Sequence, residues 1–373
     1  MNTLVLIPGR RTLRYAGFRS NDASCMGTIR GWHLQGPGAA LEEVAAIARA
    51  TGLADDDLRV AIRGIYGGPE FPAPVWLDEN SEKRLQDLSR HSPIHLSTLV
   101  DVAQAARRAL PRTPVIVVFE TSFFVDLPVR ERTYAVSPEL AQKLELRRWG
   151  YHGIFHSAAV TEANRAWRRS GRDTPARILS ICLDPQPEMV AALDQRPITV
   201  TSGATPLEGL PGETHSGEID PSLALALAGE AGLGPEGANA LLTSESGLSG
   251  LAGRRVRLDE VLASTTGDLV RVKEFLLYRI LTAAGAAAAA LGGVDTLIFS
   301  GGYTAVAPVV ARELLPRLHA CGALLCPPTH WEMLTTPLER LLADIAMVQR
   351  VPESLQWHPA PEISNEFETE FYP

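Results

Sequence analysis

A chain of 373 residues is too long for one minimal domain and suits two. Its 45% hydrophobic and 21% charged residues exclude a disordered tail, a coiled coil and a collagen-like repeat. The net charge of −8 argues against a broad nucleic-acid footprint or an anionic membrane surface, but not against a local pocket for a small anion.

The first apolar run, residues 4–7, reads as a buried strand closed by Pro8-Gly9. Residues 41–51 carry Leu41, Val44, Ala45 and Ile47 on one helical face. Residues 58–65 read as a strand ended by Tyr66-Gly67-Gly68, residues 95–110 as an amphipathic helix, and residues 114–119 (PVIVVF) as a buried strand. In the second half, 177–183 and 189–193 read as strands and 221–231 and 272–291 as helices. A strand at 295–300 ends in Gly301-Gly302, and a helix at 305–319, a strand at 322–326 and a helix at 338–350 follow. The stretch from 352 to 373, rich in proline and acidic residues, reads as a loose tail. Alternation of strands and helices predicts an α/β fold. Two strand–turn starts, near residues 4–9 and 177–184, predict two similar halves with a ligand between them.

Cys25, Cys182, Cys321 and Cys326 form no CxxC pair, and no histidine cluster has zinc spacing. A reduced cytoplasm is the expected location. The alanine run 283–290, between Arg279 and Asp295, is far shorter than the roughly 20 apolar residues of a membrane span. Only Lys83, Lys143 and Lys273 of the 35 basic residues are lysines, so an anion site must use Arg, His, backbone N–H groups and helix N-termini.

Four segments combine strand ends, glycines and charge. Arg63 closes a strand, where a guanidinium can grip a carboxylate or phosphoryl group bidentately. Glu120 follows the buried strand 114–119. His152 sits between Gly150 and Gly153, with His156 four residues on, at the spacing of one helical face. A long polar loop runs through residues 205–220 and opens a helix at Asp220-Pro221, an N-cap followed by proline at the first helical position.

In order and spacing these segments resemble the acetate kinase (acetokinase) family of the sugar kinase and actin superfamily. TPLEGL with HSGEIDP is similar to TPLEGL with TRSGDIDP, RRWGYHGIFH to RRYGFHGTSH, VFETSFF to VFDTAFH, and IRGIYGG to HRVVHGG. Residues 246–253, 291–302 and 327–332 also have family counterparts, and the resemblance runs from Leu4 to about Arg350. It implies two ribonuclease-H-like (actin-like ATPase) halves around a central cleft. The expected division is 1–124 plus about 330–373 for the first half and 125–329 for the second. It also implies a homodimer that transfers phosphate between ATP and a short carboxylate with Mg²⁺.

Carried over position by position, the resemblance makes Arg63 and His152 catalytic, with Glu120 in place of an aspartate and His215 in place of a second arginine. Arg63, His156, Arg10 and Arg11 fall on the substrate side, the two arginines standing where the family has serines. Thr214, Ser216, Gly217, Arg257, Gly301 and Gly302 fall on the nucleotide side. The departures concentrate there. A catalytic Asn is replaced by Ile7 and an acidic Mg²⁺ ligand by Ala305. The phosphate loop HLGNGAS is replaced by residues 182–188, where two prolines remove N–H donors. Asp184 and Glu188 in that loop are expected to repel a triphosphate. Mg²⁺ dependence should be weak or absent, with Glu120 the one candidate ligand, and ATP or ADP use is in doubt. Three readings stay open: a divergent carboxylate kinase, an enzyme of acyl phosphates without ATP, and an inactive pseudokinase.

Overall fold

The structure, a computed structural model, describes residues 2–9, 11–20, 22–53, 57–91, 93–325 and 330–355. Six strands form the first sheet: β1 (Asn2–Pro8), β2 (Thr12–Arg19), β3 (Asp22–Arg30), β4 (Leu58–Gly64), β5 (Val75–Trp76) and β6 (Val115–Phe119), in the order β3-β2-β1-β4-β6-β5. Five form the second: β7 (Arg177–Cys182), β8 (Glu188–Leu193), β9 (Arg196–Val200), β10 (Thr296–Ser300) and β11 (His330–Met333), in the order β11-β10-β7-β8-β9.

The two sheets repeat one plan. β1, β2 and β3 form an antiparallel meander, and β4 and then β6 add parallel to β1. Likewise β7, β8 and β9 form a meander, and β10 and then β11 add parallel to β7. The parallel strands are the most fully buried. All five residues of β6 and all five of β10 are buried, which accounts for their unbroken apolar runs.

The helix Gly153–Arg169 joins the halves. It packs against β6 and the 3₁₀ turn Glu120–Phe124 on one side, and against β7 and β10 on the other. The helix Leu338–Val348 returns to the first half and lies on β1 and β4, so the chain crosses back between Met333 and Leu338. Ile154 and Phe155 share a buried cluster with Val5, Ile7, Val118, Leu341 and Leu342.

Several expectations change. The helices at 41–51, 95–110 and 338–350 are present as Pro37–Ala50, Pro93–Ala109 and Leu338–Val348. The segment 322–326 is not a strand: only Leu324 bridges to Val294, and Cys326 lies outside the described residues. The final strand is β11 instead. Strands β2, β3 and β9 and helices Glu79–His91 and Gly234–Ser244 were not anticipated. The tail beyond residue 355 lies outside the described residues. The alanine run belongs to the helix Leu269–Leu291, which at 23 residues is long and apolar enough to cross a membrane. Its Val272, Leu276, Ile280 and Ala284 are buried in the core of the second half.

Candidate active site

Parallel pairing of β4 with β6 sets Arg63 opposite Val118 and Gly64 opposite Phe119, so Glu120 emerges beside Arg63 at the strand ends. Arg63 Nε donates to Glu120 Oε1 at 2.5 Å, and Glu120 Oε2 accepts from the Ile154 N–H at 2.9 Å. That N–H lies in the first turn of the helix Gly153–Arg169, where unpaired donors favour a carboxylate. Glu120 is fully buried, while the Arg63 side chain keeps 17% exposure. Burial opposes the Arg63 charge, but Glu120, and further off Asp184 and Cys182, outweigh it and hold the guanidinium more firmly charged than usual.

His152 immediately precedes that helix. Its Nε2 faces Asp184 Oδ2 at 3.7 Å and its Nδ1 faces Glu188 Oε1 at 3.7 Å. Burial alone would lower its pKa, but Glu188, Asp184 and Glu120 together raise it. His156, one turn along, bonds Ser180 Oγ through Nδ1 at 2.8 Å and faces Glu188 Oε1 through Nε2 at 3.4 Å. Burial lowers its pKa, only partly offset by Glu188.

Glu188 is the hub beneath the two imidazoles. Its carboxylate accepts from the N–H groups of Tyr151 at 2.9 Å and His152 at 3.0 Å, and from the Ser202 hydroxyl at 2.5 Å. Burial would raise the carboxyl, but the facing His152 and His156 hold it far below the ordinary range.

Asp184 stands at the opposite lip. Gly302 N donates to its Oδ1 at 2.7 Å. The turn is tight: Gly301 has φ of +98°, and a Cβ there would meet the Leu183 carbonyl oxygen at 2.5 Å, so glycine is required.

Arg63 is bonded to Glu120, and Glu120 to the first turn of the helix that His152 precedes. Two expectations, for His156 and Glu188, are corrected. His156 is fully buried, so it supports Glu188 and cannot touch a substrate. Glu188 does not project as a repelling charge, because its oxygens are bound inside the fold; of the two loop acids only Asp184 faces the cleft. His215, with its Nδ1 3.3 Å from Thr214 Oγ1, lies on a separate segment with Ser216 and Gly217, fixed by Thr214 to Thr243 O and by Ser216 N to Leu242 O. Arg257 is tied bidentately to Asp259 at 2.9 and 2.8 Å, and its guanidinium lies over the Tyr303 ring at 5.2 Å. Arg11 is exposed before β2, while Arg10 lies outside the described residues.

Sequence reasoning missed the hub role of Glu188 and the closeness of Cys182 to His152. The signals were one acid heading the apolar run EMVAAL, and a Cys-x-Asp step at the end of a buried strand.

Twin sheets of this plan, with charged groups gathered at the ends of their central strands, define an actin-like two-domain protein. Solved structures share the fold. Porphyromonas gingivalis acetate kinase superposes with a TM-score of 0.81 at 23% identity, over 93% of this chain and 98% of that one. A propionate kinase from Francisella tularensis gives 0.77 at 20% identity, over 92% and 98%. The acetokinase family model matches residues 39–331. Curated acetate kinases from Clavibacter michiganensis and Syntrophobacter fumaroxidans are 35% and 32% identical over 265 and 266 residues. Those matches take in 70% of this chain and 66% and 64% of the relatives, so just under two thirds of their length is spanned. The chain belongs to the acetokinase family.

Proposed function

We propose that this protein is a phosphotransferase of small carboxylates and their acyl phosphates, with the phosphoryl group held between Arg63 and His152. One observation carries the reading. The Arg63 guanidinium is fixed through Nε on a buried carboxylate, a bond that does not use the Nη donors, and its side chain stays partly exposed. Family members whose names state acetate kinase are the closest support for the substrate class.

In the reaction the acyl–oxygen–phosphorus bridge breaks, the carboxylate leaves with the bridging electron pair, and the phosphoryl group passes to an acceptor oxygen. Charge spreads over three equatorial oxygens in the transition state. Arg63 neutralises part of it, and His152, whose charged form is favoured by its carboxylate neighbours, donates to another part. Glu120 keeps Arg63 from rotating away, and Glu188 fixes the backbone that presents His152.

Magnesium does not fit the donor set. The position of the acidic ligand is Ala305, which is exposed, and that of the Asn is Ile7, which is sealed in the core. Both oxygens of Glu120 are taken, by Arg63 and by the Ile154 N–H. No step is therefore assigned to that ion. A second reading, chemistry on acyl phosphates without a nucleotide, is favoured by Asp184, which occupies the Gly302 N–H with a negative charge. A homodimer and a cytoplasmic location accompany the proposal.

Separate calorimetric titrations with MgATP, MgADP and acetyl phosphate test it. Acetyl phosphate should bind wild type and not Arg63→Ala. Nucleotide binding as well favours the kinase reading, its absence the second. If all three ligands are silent, both readings fail and a pseudokinase remains.

A further inference from the structure

Cys182 closes β7, and Asp184 follows two residues later at the cleft lip. Their Sγ and carboxylate oxygen, with a ring nitrogen of His152, all lie within 4.8 Å of one another. We infer that His152, Cys182 and Asp184 form a binding site for a borderline divalent cation of the zinc class.

One of the three pairs already has tetrahedral spacing. Bonds of about 2.0–2.3 Å to nitrogen, oxygen and sulfur place ligand atoms roughly 3.3–3.7 Å apart, and His152 Nε2 stands 3.7 Å from Asp184 Oδ2. The pairs with Cys182 Sγ lie within 4.8 Å, so the thiol must draw in by up to about 1 Å on binding.

An outer shell is already in place. Gly302 N donates to Asp184 Oδ1 and so turns Oδ2 toward His152. His152 Nδ1 is buried without a hydrogen-bond partner among the described residues, and it faces Glu188 Oε1 at 3.7 Å. A carboxylate behind the far nitrogen is the arrangement that orients a metal-bound imidazole and strengthens it as a ligand.

The donor set selects the ion. One thiol, one imidazole and one carboxylate suit zinc or cobalt and disfavour magnesium, which demands oxygen. Three protein ligands leave a fourth position, and the half-exposed Asp184 side opens it toward the cleft for water or an oxyanion. On coordination the Cys182 thiol proton and the proton on the ligating nitrogen of His152 leave to solvent. A loaded site would take the His152 nitrogen that the proposed phosphotransfer uses as a donor, so the two roles exclude each other at one time; the metal site is tested by itself, with no acyl phosphate or nucleotide present.

The full-length protein, stripped with a chelator, is titrated with Co²⁺ as the probe. Wild type should take up one equivalent and show a thiolate-to-cobalt charge-transfer band with intense tetrahedral ligand-field bands. Cys182→Ser should lose the charge-transfer band, and Asp184→Asn, at the lip and outside the core, should weaken binding at least tenfold. Zn²⁺ should displace the cobalt and excess Mg²⁺ should not. The absence of a charge-transfer band in wild type, equal affinity in both variants, or displacement by Mg²⁺ overturns the assignment.

Discussion

Arg63 and His152 face the cleft from opposite kinds of support. Arg63 is pinned by one buried carboxylate, and several carboxylates raise the pKa of His152 against its burial. In the proposed phosphotransfer each would supply a donor that matters most as charge builds on the phosphoryl oxygens. Arg63→Ala and His152→Ala should each lower turnover of acetyl phosphate by about a hundred- to a thousandfold, the scale of one lost oxyanion donor. Initial rates at saturating substrate check this, and a loss under threefold in both variants removes them from the reaction. A pH dependence follows from His152. Its folded pKa is raised above the ordinary value of about 6.5, so its positive charge is full below that pH and is lost as pH rises through the raised value. Affinity for sulfate, whose charge is constant over this range, should be greatest on the acid side and fall as pH rises. His152→Gln should flatten the profile. A wild-type profile that is already flat would show that another group holds the oxyanion. His156 opposes this trend only in stability: its folded pKa is lowered, so its buried neutral form contributes above about pH 6.5 and that contribution is lost on acidification through the lowered value.

The element on which the site depends most is the helix Gly153–Arg169, whose first turn rests on the Glu120 backbone. A Cβ on Gly153 would lie 1.9 Å from the Glu120 carbonyl oxygen, a contact that no side chain can make. Gly153→Ala must therefore part the helix from the 3₁₀ turn Glu120–Phe124 and disturb the Ile154 N–H bond to Glu120. The expected cost is about 1–3 kcal/mol, as for other overpacked contacts, with a weakened grip on Arg63. Chemical denaturation measures the first and acetyl phosphate affinity the second; an unchanged midpoint would mean the contact relaxes freely. This helix also marks where the sequence becomes hard to read. PVIVVF, RILSIC and TLIFS announce themselves because strands covered on both faces are continuously apolar. β2 and β3 do not: Arg14, Arg19 and Arg30 interrupt them, and most of β3 is open to solvent at the sheet edge. Arg63 and Glu120 were legible because each follows or ends such an apolar run. The meeting of His152 with Cys182 and Asp184 was not, because it is made by packing between segments 30 residues apart rather than by any local pattern.

At the scale of the whole molecule, the two meanders are fastened together by one bridging helix and one returning helix. The return is secured by a residue 287 positions earlier in the chain than the first carbonyl it binds. Arg59, in β4, sends Nη1 to the carbonyl oxygens of Ala346 at 2.9 Å and Gln349 at 3.0 Å, at the C-terminus of the helix Leu338–Val348. Those carbonyls have no partner within the helix, and the helix dipole makes them the right end for a cation. Burial lowers the Arg59 pKa in spite of Asp57. Its guanidinium also lies 5.8 Å from the centre of the Trp76 ring, so one side chain ties β4, β5 and the last helix. The helix in turn covers Val5, Ile7 and Ala61 on the face of the first sheet. Losing the anchor should loosen that cover without altering the cleft chemistry directly. Arg59→Ala is expected to cost about 1.5–3 kcal/mol, the range for hydrogen bonds to a charged group. Arg59→Lys should recover only part, since an ammonium can still donate to the carbonyls but loses the planar guanidinium that lies over the Trp76 ring. Urea midpoints for the three proteins, together with proteolysis at the C-terminal helix, read the effect. If Arg59→Ala unfolds within about 0.5 kcal/mol of wild type, the ordinary range for an unimportant surface change, the helix is held by its apolar face alone.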